Sequence, residues 1–161
     1  MPKDRPTNVV CILTDDQGPW ALGCAGNDEI RTPNLDRLAA EGMRFENHVC
    51  TSPVCSPARA SLLTGRIPSA HGVHDWIAAR SLPPRPAQYL RDQPAYTDAL
   101  AEAGYAVGLS GKWHLGDCRR SQHGYTHWLT LPGGSAPYND PELVRDGRLV
   151  RHHGYQTDIL F

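Results

Sequence analysis

Thr97-Asp98-Ala99-Leu100-Ala101-Glu102-Ala103-Gly104-Tyr105-Ala106-Val107-Gly108-Leu109 is the stretch on which the architecture turns. Leu100 and Ala103 share one face of a helix over Thr97 to Ala103, Gly104 ends that helix, and Tyr105 to Leu109 then reads as a strand. Helix, glycine and strand in this order punctuate an alternating α/β chain, and open α/β sheets bind ligands just past the ends of their strands. The strand delivers Gly111-Lys112-Trp113-His114 to such an edge.

Toward the N-terminus, Val9-Val10-Cys11-Ile12-Leu13-Thr14 is an almost unbroken apolar run, which predicts a central strand covered on both faces with Asp15 and Asp16 at its carboxyl end. Thr32 is placed to cap a helix with Pro33 in its first turn, Leu35, Leu38 and Ala39 on one face and Gly42 as its stop. Met43 to Val49 alternates like a half-buried strand. Residues 66–95, rich in proline, arginine and small side chains, predict a long surface loop with short turns. Beyond residue 119 the signal weakens: 132–141 is loop-like and Gly147 marks a turn between short extended pieces. Thr157 to Phe161 looks like a capped helix just beginning, an unusual place for a free domain to stop. The expected class is therefore α/β, with a mostly parallel central sheet and helices on both faces.

The chain has 161 residues, 40% of them hydrophobic, and a net charge of −1, so it has enough apolar content for a core. Its arginines are scattered rather than gathered into a basic run, which argues against a nucleic-acid partner. Lysine occurs only at Lys3 and Lys112, so the lysine before Trp113-His114 stands out. Five cysteines at irregular spacing do not make a disulfide framework. Met1 to Pro6 leads into an apolar run too short for a signal-peptide core and without a small-residue cleavage site. No stretch approaches the ~20 apolar residues of a membrane helix. These features predict a cytoplasmic protein with no membrane partner, although a leader could have been removed.

Cys55-Ser56-Pro57-Ala58-Arg59-Ala60-Ser61-Leu62-Leu63-Thr64-Gly65 sets a cysteine and an arginine across a helix start. Ser56 reads as the N-cap and Pro57 as the first helical residue, which puts Cys55 just ahead of a helix N-terminus. Unpaired N–H groups, the helix dipole and Arg59 would together favour an anion there. The residues alone leave Cys55 open as an inert thiol, as half of a Cys50–Cys55 pair, or as a thiolate of lowered pKa; the zinc reading with His48 and His71 lacks the paired short spacings of structural sites. Asp15-Asp16 is either an Asx-type turn or a pair of oxygen donors for a hard divalent cation, Ca2+ first and Mg2+ as the alternative. Lys112 and His114, two apart in an extended segment, would face the same way, unless they form a surface turn anchored by Trp113. His71 and His74 read as solvated loop histidines or as the rim of a substrate site, whereas His123, His127, His152 and His153 receive no role. Cys11, Cys24, Cys50 and Cys118 read as structural or incidental.

The C-x-P-x-R pattern of residues 55–59 and its A-S-L-L-T-G continuation resemble the signature of the type I sulfatases of the alkaline phosphatase superfamily. Asn8 to Gly18, Thr32-Pro33-Asn34-Leu35-Asp36-Arg37-Leu38 and Gly111-Lys112-Trp113-His114-Leu115-Gly116 resemble sulfatase segments too, in the family's order. The resemblance implies an alkaline phosphatase/sulfatase-like fold, of which residues 1–161 are the N-terminal portion of the catalytic domain, truncated at the C-terminus. It implies a formylglycine derived from Cys55, modified by a formylglycine-generating enzyme. It further implies Asp15, Asp16 and the modified Cys55 as metal ligands, with Arg59, Lys112 and His114 beside the sulfate and Ser135 as a polar substrate contact. The implied activity is hydrolysis of a sulfated small molecule or sugar. A phosphonate or phosphate monoester hydrolase of the same superfamily is the alternative, as is a non-catalytic fragment that is only a substrate of the modifying enzyme. The remaining metal ligands and the leaving-group acid of the family lie downstream, so the isolated 161 residues are expected to be inactive.

Overall fold

The computed structural model describes residues 7–78 and 86–161. The chain divides into two compact units, Met1–His48 and Val49–Phe161. The N-terminal reading of Met1 to Pro6 and the stretch 79–85 of the expected loop lie outside the described residues.

In the N-terminal unit, α1 spans Pro33–Glu41, with Thr32 at the N-cap position, proline in the first turn and Gly42 at the stop. The Thr32 hydroxyl does not cap the helix backbone. It accepts from Gly23 N (2.8 Å) and donates to Asp36 Oδ1 (2.9 Å), while Asp36 Oδ1 also accepts from Cys24 N (2.7 Å). The pair thereby grips the 3-10 turn Gly23–Ala25. None of the described residues in this unit is buried. Residues 9–14 form no strand, with Val10 83% and Ile12 62% exposed, and 43–49 forms none either. A strand is a pairing, and among the described residues neither segment has a ladder partner to take its N–H and C=O groups.

The C-terminal unit carries α2 (Cys55–Thr64), α3 (Pro68–His71), α4 (Tyr96–Glu102), β1 (Val107–Gly111), β2 (Tyr125–Thr130), β3 (Glu142–Arg145), β4 (Arg148–Arg151) and α5 (Gln156–Leu160). The sheet order is β1-β2-β3-β4; β1 and β2 are parallel, and the β2–β3 and β3–β4 pairs are antiparallel. The α/β class holds, and the described strands make a mixed sheet. The expected helix-glycine-strand unit is present as α4, Gly104 and β1, with Asp98 Oδ2 accepting the Ala95 N–H at the helix start (2.8 Å). Gly147 sits at positive φ in the turn joining β3 to β4, as its sequence predicts.

Successive residues on β2 and β3 face opposite sides, and both sides are covered. Trp128 and Val144 join a core with Ala60 and Leu63 of α2, Leu90, Ala95, Trp113 and Leu115. Leu129 and Leu143 join a second cluster on which Ile159 and Leu160 of α5 pack. Trp113 and Trp128 meet edge to face at 5.1 Å, and the Trp128 indole N–H donates to Cys118 O at 2.7 Å, which satisfies its polar atom inside the core. Among the described residues no helix is long and apolar enough to cross a membrane.

Candidate active site

The helix α2 begins at Cys55 itself, two residues earlier than its sequence suggests. Extended Val54 is the N-cap and its carbonyl accepts from Ala58 N at 3.0 Å, so Cys55 is the first helical residue rather than the residue ahead of the helix. Pro57 still falls in the first turn, where a missing N–H costs nothing. Ser56 does not cap: its buried hydroxyl accepts the Ile77 N–H at 3.2 Å, a long-range partner that outcompetes the local one. Cys55 is half-buried at the positive end of this helix.

Arg59 lies four residues on from Cys55, on the same helix face. Its Nη1 donates to the Lys112 carbonyl at 2.7 Å, tying α2 to the turn that leaves β1. Lys112 is half-buried and follows directly on the end of β1. Trp113 is buried and anchors the turn in the core. His114 adopts φ 56, so the segment departs from the extended form expected of it. The His114 ring is only 3% exposed, and its Nε2 lies 2.9 Å from the Ile77 carbonyl. That carbonyl can only accept, which assigns the proton to Nε2. A Cβ on Gly134, which sits at φ 89, would come within 2.5 Å of the ring, so only glycine fits beside it. Ser135, next along, is exposed.

The main chain of one residue, Ile77, thus joins two halves of the site. Ile77 gives its N–H to Ser56, the neighbour of Cys55, and its carbonyl to His114. Trp76, beside it, packs its ring edge to face against His114 with centroids 6.2 Å apart. Cys55, Arg59, Lys112 and His114 therefore belong to one hydrogen-bonded framework. Ile77 escaped sequence reading because its hydrogen bonds at the site are made by its main chain, and Trp76 because it sits in a segment with no periodicity.

His71 corrects its sequence reading. It is 3% exposed, at the end of α3, not solvated in a loop. Its Nδ1 accepts the Val73 N–H at 3.1 Å and its Nε2 lies 3.0 Å from Ser61 Oγ, which also accepts from Thr51 Oγ1 at 2.7 Å. Burial, followed by the charge of His74, holds its pKa below the ordinary value, with a Pro57 backbone contact pulling the other way. His74 is exposed. Burial likewise pushes the Cys118 thiol up. All five cysteines are outside disulfides.

Asp15 and Asp16 belong to the N-terminal unit, where both are exposed at a bend after the extended run. Asp16 takes φ 57, a left-handed conformation that aspartate tolerates better than most residues. Their hard oxygen donors suit a divalent cation of the Ca2+ or Mg2+ type. Among the described residues no group of three or more His, Cys, Asp or Glu is assembled to hold a metal. The pair fits such an ion as part of a larger oxygen set.

Comparison with known proteins bears on this arrangement. The Sulfatase family model matches residues 7–161. An N-acetylglucosamine-6-O-sulfatase of Bacteroides thetaiotaomicron is 35% identical over 158 residues, covering 97% of this chain and 26% of the relative. Steryl-sulfatase of Mus musculus is 40% identical over 149 residues, covering 81% of this chain and 23% of its own length. A solved structure of a protein in complex with its substrate D-glucosamine-2-N,6-O-disulfate superposes with a TM-score of 0.77 at 34% identity, over 90% of this chain and 27% of that one. The chain thus spans about a quarter of the length of these relatives. With the family model running through both units and the relatives agreeing in fold and name, the chain belongs to the sulfatase family.

Proposed function

We propose that residues 1–161 are the N-terminal portion of a catalytic domain that hydrolyses sulfate monoesters, with a sulfated sugar as the substrate class. The observation that carries this reading is the double tie between the Cys55 helix and the Lys112–His114 turn, through Arg59 Nη1 to Lys112 O and through the Ile77 main chain. The names of the relatives support sulfate as the group removed, and the glucosamine disulfate complex supports a sugar as its carrier.

In this reading Cys55 is converted by a formylglycine-generating enzyme, and Asp15, Asp16 and the modified residue hold Ca2+, or Mg2+ in its place. The hydrated aldehyde would supply a nucleophilic hydroxyl and the cation would supply Lewis acidity. The chain's own residues do the rest. The N-terminal turn of α2 presents N–H groups and a positive dipole to the sulfuryl oxygens. Arg59, held by its bond to the Lys112 carbonyl, keeps a positive charge beside residue 55, and Lys112 adds a second. His114, its Nε2–H committed to Ile77, is fixed in orientation before substrate arrives, which removes that reorganisation from the barrier.

The test uses the complete polypeptide produced together with the modifying enzyme. Mass spectrometry of the peptide containing residue 55 should show the exchange of sulfur for oxygen, and Cys55→Ala should lower turnover of a sulfated glucosamine by at least about a thousandfold. Equal turnover by Cys55→Ala overturns the proposal, as does faster turnover of the matched phosphate ester. The 161-residue chain alone should show no useful turnover, because two carboxylates supply too few of the six to eight oxygens such a cation takes.

A further inference from the structure

We propose that Trp76 is the platform on which the sugar ring of the substrate stacks, so that this residue sets preference for carbohydrate over aryl sulfates. The inference rests on the hydrolase reading above. Trp76 is 56% exposed, and it lies edge to face with the buried His114 ring at 6.2 Å. Its place is fixed by main-chain bonds together with the burial of the adjoining Ile77. The next residue, Ile77, is held by its N–H to Ser56 Oγ at 3.2 Å and by its carbonyl to His114 Nε2 at 2.9 Å, and the Trp76 N–H is taken by Asp75 Oδ1 at 2.6 Å.

An exposed indole beside a buried site residue is an apolar surface held where a ligand arrives. A pyranose ring offers a face of C–H groups that matches an aromatic face, and a rim of hydroxyls that needs polar partners. Both are on hand, because the flanking His74 and Asp75 side chains are exposed and polar. A simple aryl group has no such rim and leaves His74 and Asp75 without partners on the ligand. The carboxylate of Asp75 disfavours the sulfate itself at this position, leaving the anion to the Arg59 and Lys112 side of the framework.

The experiment compares Trp76→Ala and Trp76→Phe with the unaltered complete enzyme on a sulfated glucosamine and on para-nitrophenyl sulfate. Trp76→Ala should lower kcat/KM for the sugar sulfate about tenfold more than for the aryl sulfate, mainly through KM, with Trp76→Phe recovering part of the loss. A second readout is independent of turnover: quenching of tryptophan emission by unsulfated N-acetylglucosamine should disappear in Trp76→Ala. Equal losses on both esters overturn the platform, and equal losses with a lowered Tm place the indole against protein instead. Inactivity of the unaltered enzyme on both esters sinks the hydrolase reading, and the quenching measurement then judges the platform by itself.

Discussion

Residues 9–14 are more apolar in sequence than the strand pair β1–β2, yet they are the exposed ones. In the C-terminal unit Leu115, Leu143 and Val144 are fully buried and Trp128 is 2% exposed, while in the N-terminal unit Val10 is 83% and Met43 80% exposed. The difference is pairing. β2 has β1 on one side and β3 on the other, so its N–H and C=O groups are satisfied and its two faces can each collect a cluster of side chains. Apolar content makes burial favourable, but a ladder partner makes it possible.

The largest expected effect is on hydrogen exchange. Amides of β1 and β2 in the 161-residue chain should exchange roughly a thousandfold more slowly than those of residues 9–14, since paired core strands open only with global unfolding. Similar rates in both segments would erase the contrast. Next comes a pair of truncations followed by urea unfolding. Trp128→Ala should cost about 3–5 kcal/mol, because it removes a buried indole that also bonds Cys118, whereas Leu38→Ala on 64%-exposed Leu38 of α1 should stay within about 0.5 kcal/mol. A comparable loss from Leu38→Ala would mean the N-terminal unit has a core of its own.

The smallest effect is the pH dependence from His71. Its folded pKa lies below the ordinary 6.5, so the unfolded chain takes up the proton first. The stabilisation is therefore complete above that value, declines as pH falls below it, and levels off beneath the folded pKa. Protonation would also break the bond from Val73 N to Nδ1. His71→Gln should flatten this part of the stability profile, and a profile unchanged by the substitution would show that another group titrates there.

The local signals were legible: Pro33 and Gly42 around α1, Gly104 between α4 and β1, and Gly147 in the β3–β4 turn each announce a backbone event where they stand. The Cys55 helix was legible to within two residues at its start, and the delivery of Lys112 and His114 by the end of β1 was legible too. The reading failed where long-range partners decide. Ser56 looks like a cap and instead serves Ile77; His71 looks like a loop residue and is buried against Ser61. Residues 9–14 and 43–49 carry strand patterns without strand partners. β2 was within reach, because Tyr125, Thr126, Trp128 and Thr130 are strong strand formers, but a single short run between turns gives little periodicity to count.

The clamp at Ile77 separates what must stay from what can change. Both anchoring groups belong to the backbone and the Ile77 side chain is itself buried in the core, so another apolar residue can stand at position 77 without breaking the union of the cysteine helix with His114, whereas proline, which lacks the N–H, cannot. The neighbouring side chain, freed from structural duty, can diversify. Relatives built on such a clamp could acquire new substrate preferences one rim residue at a time while the reacting centre keeps its spacing.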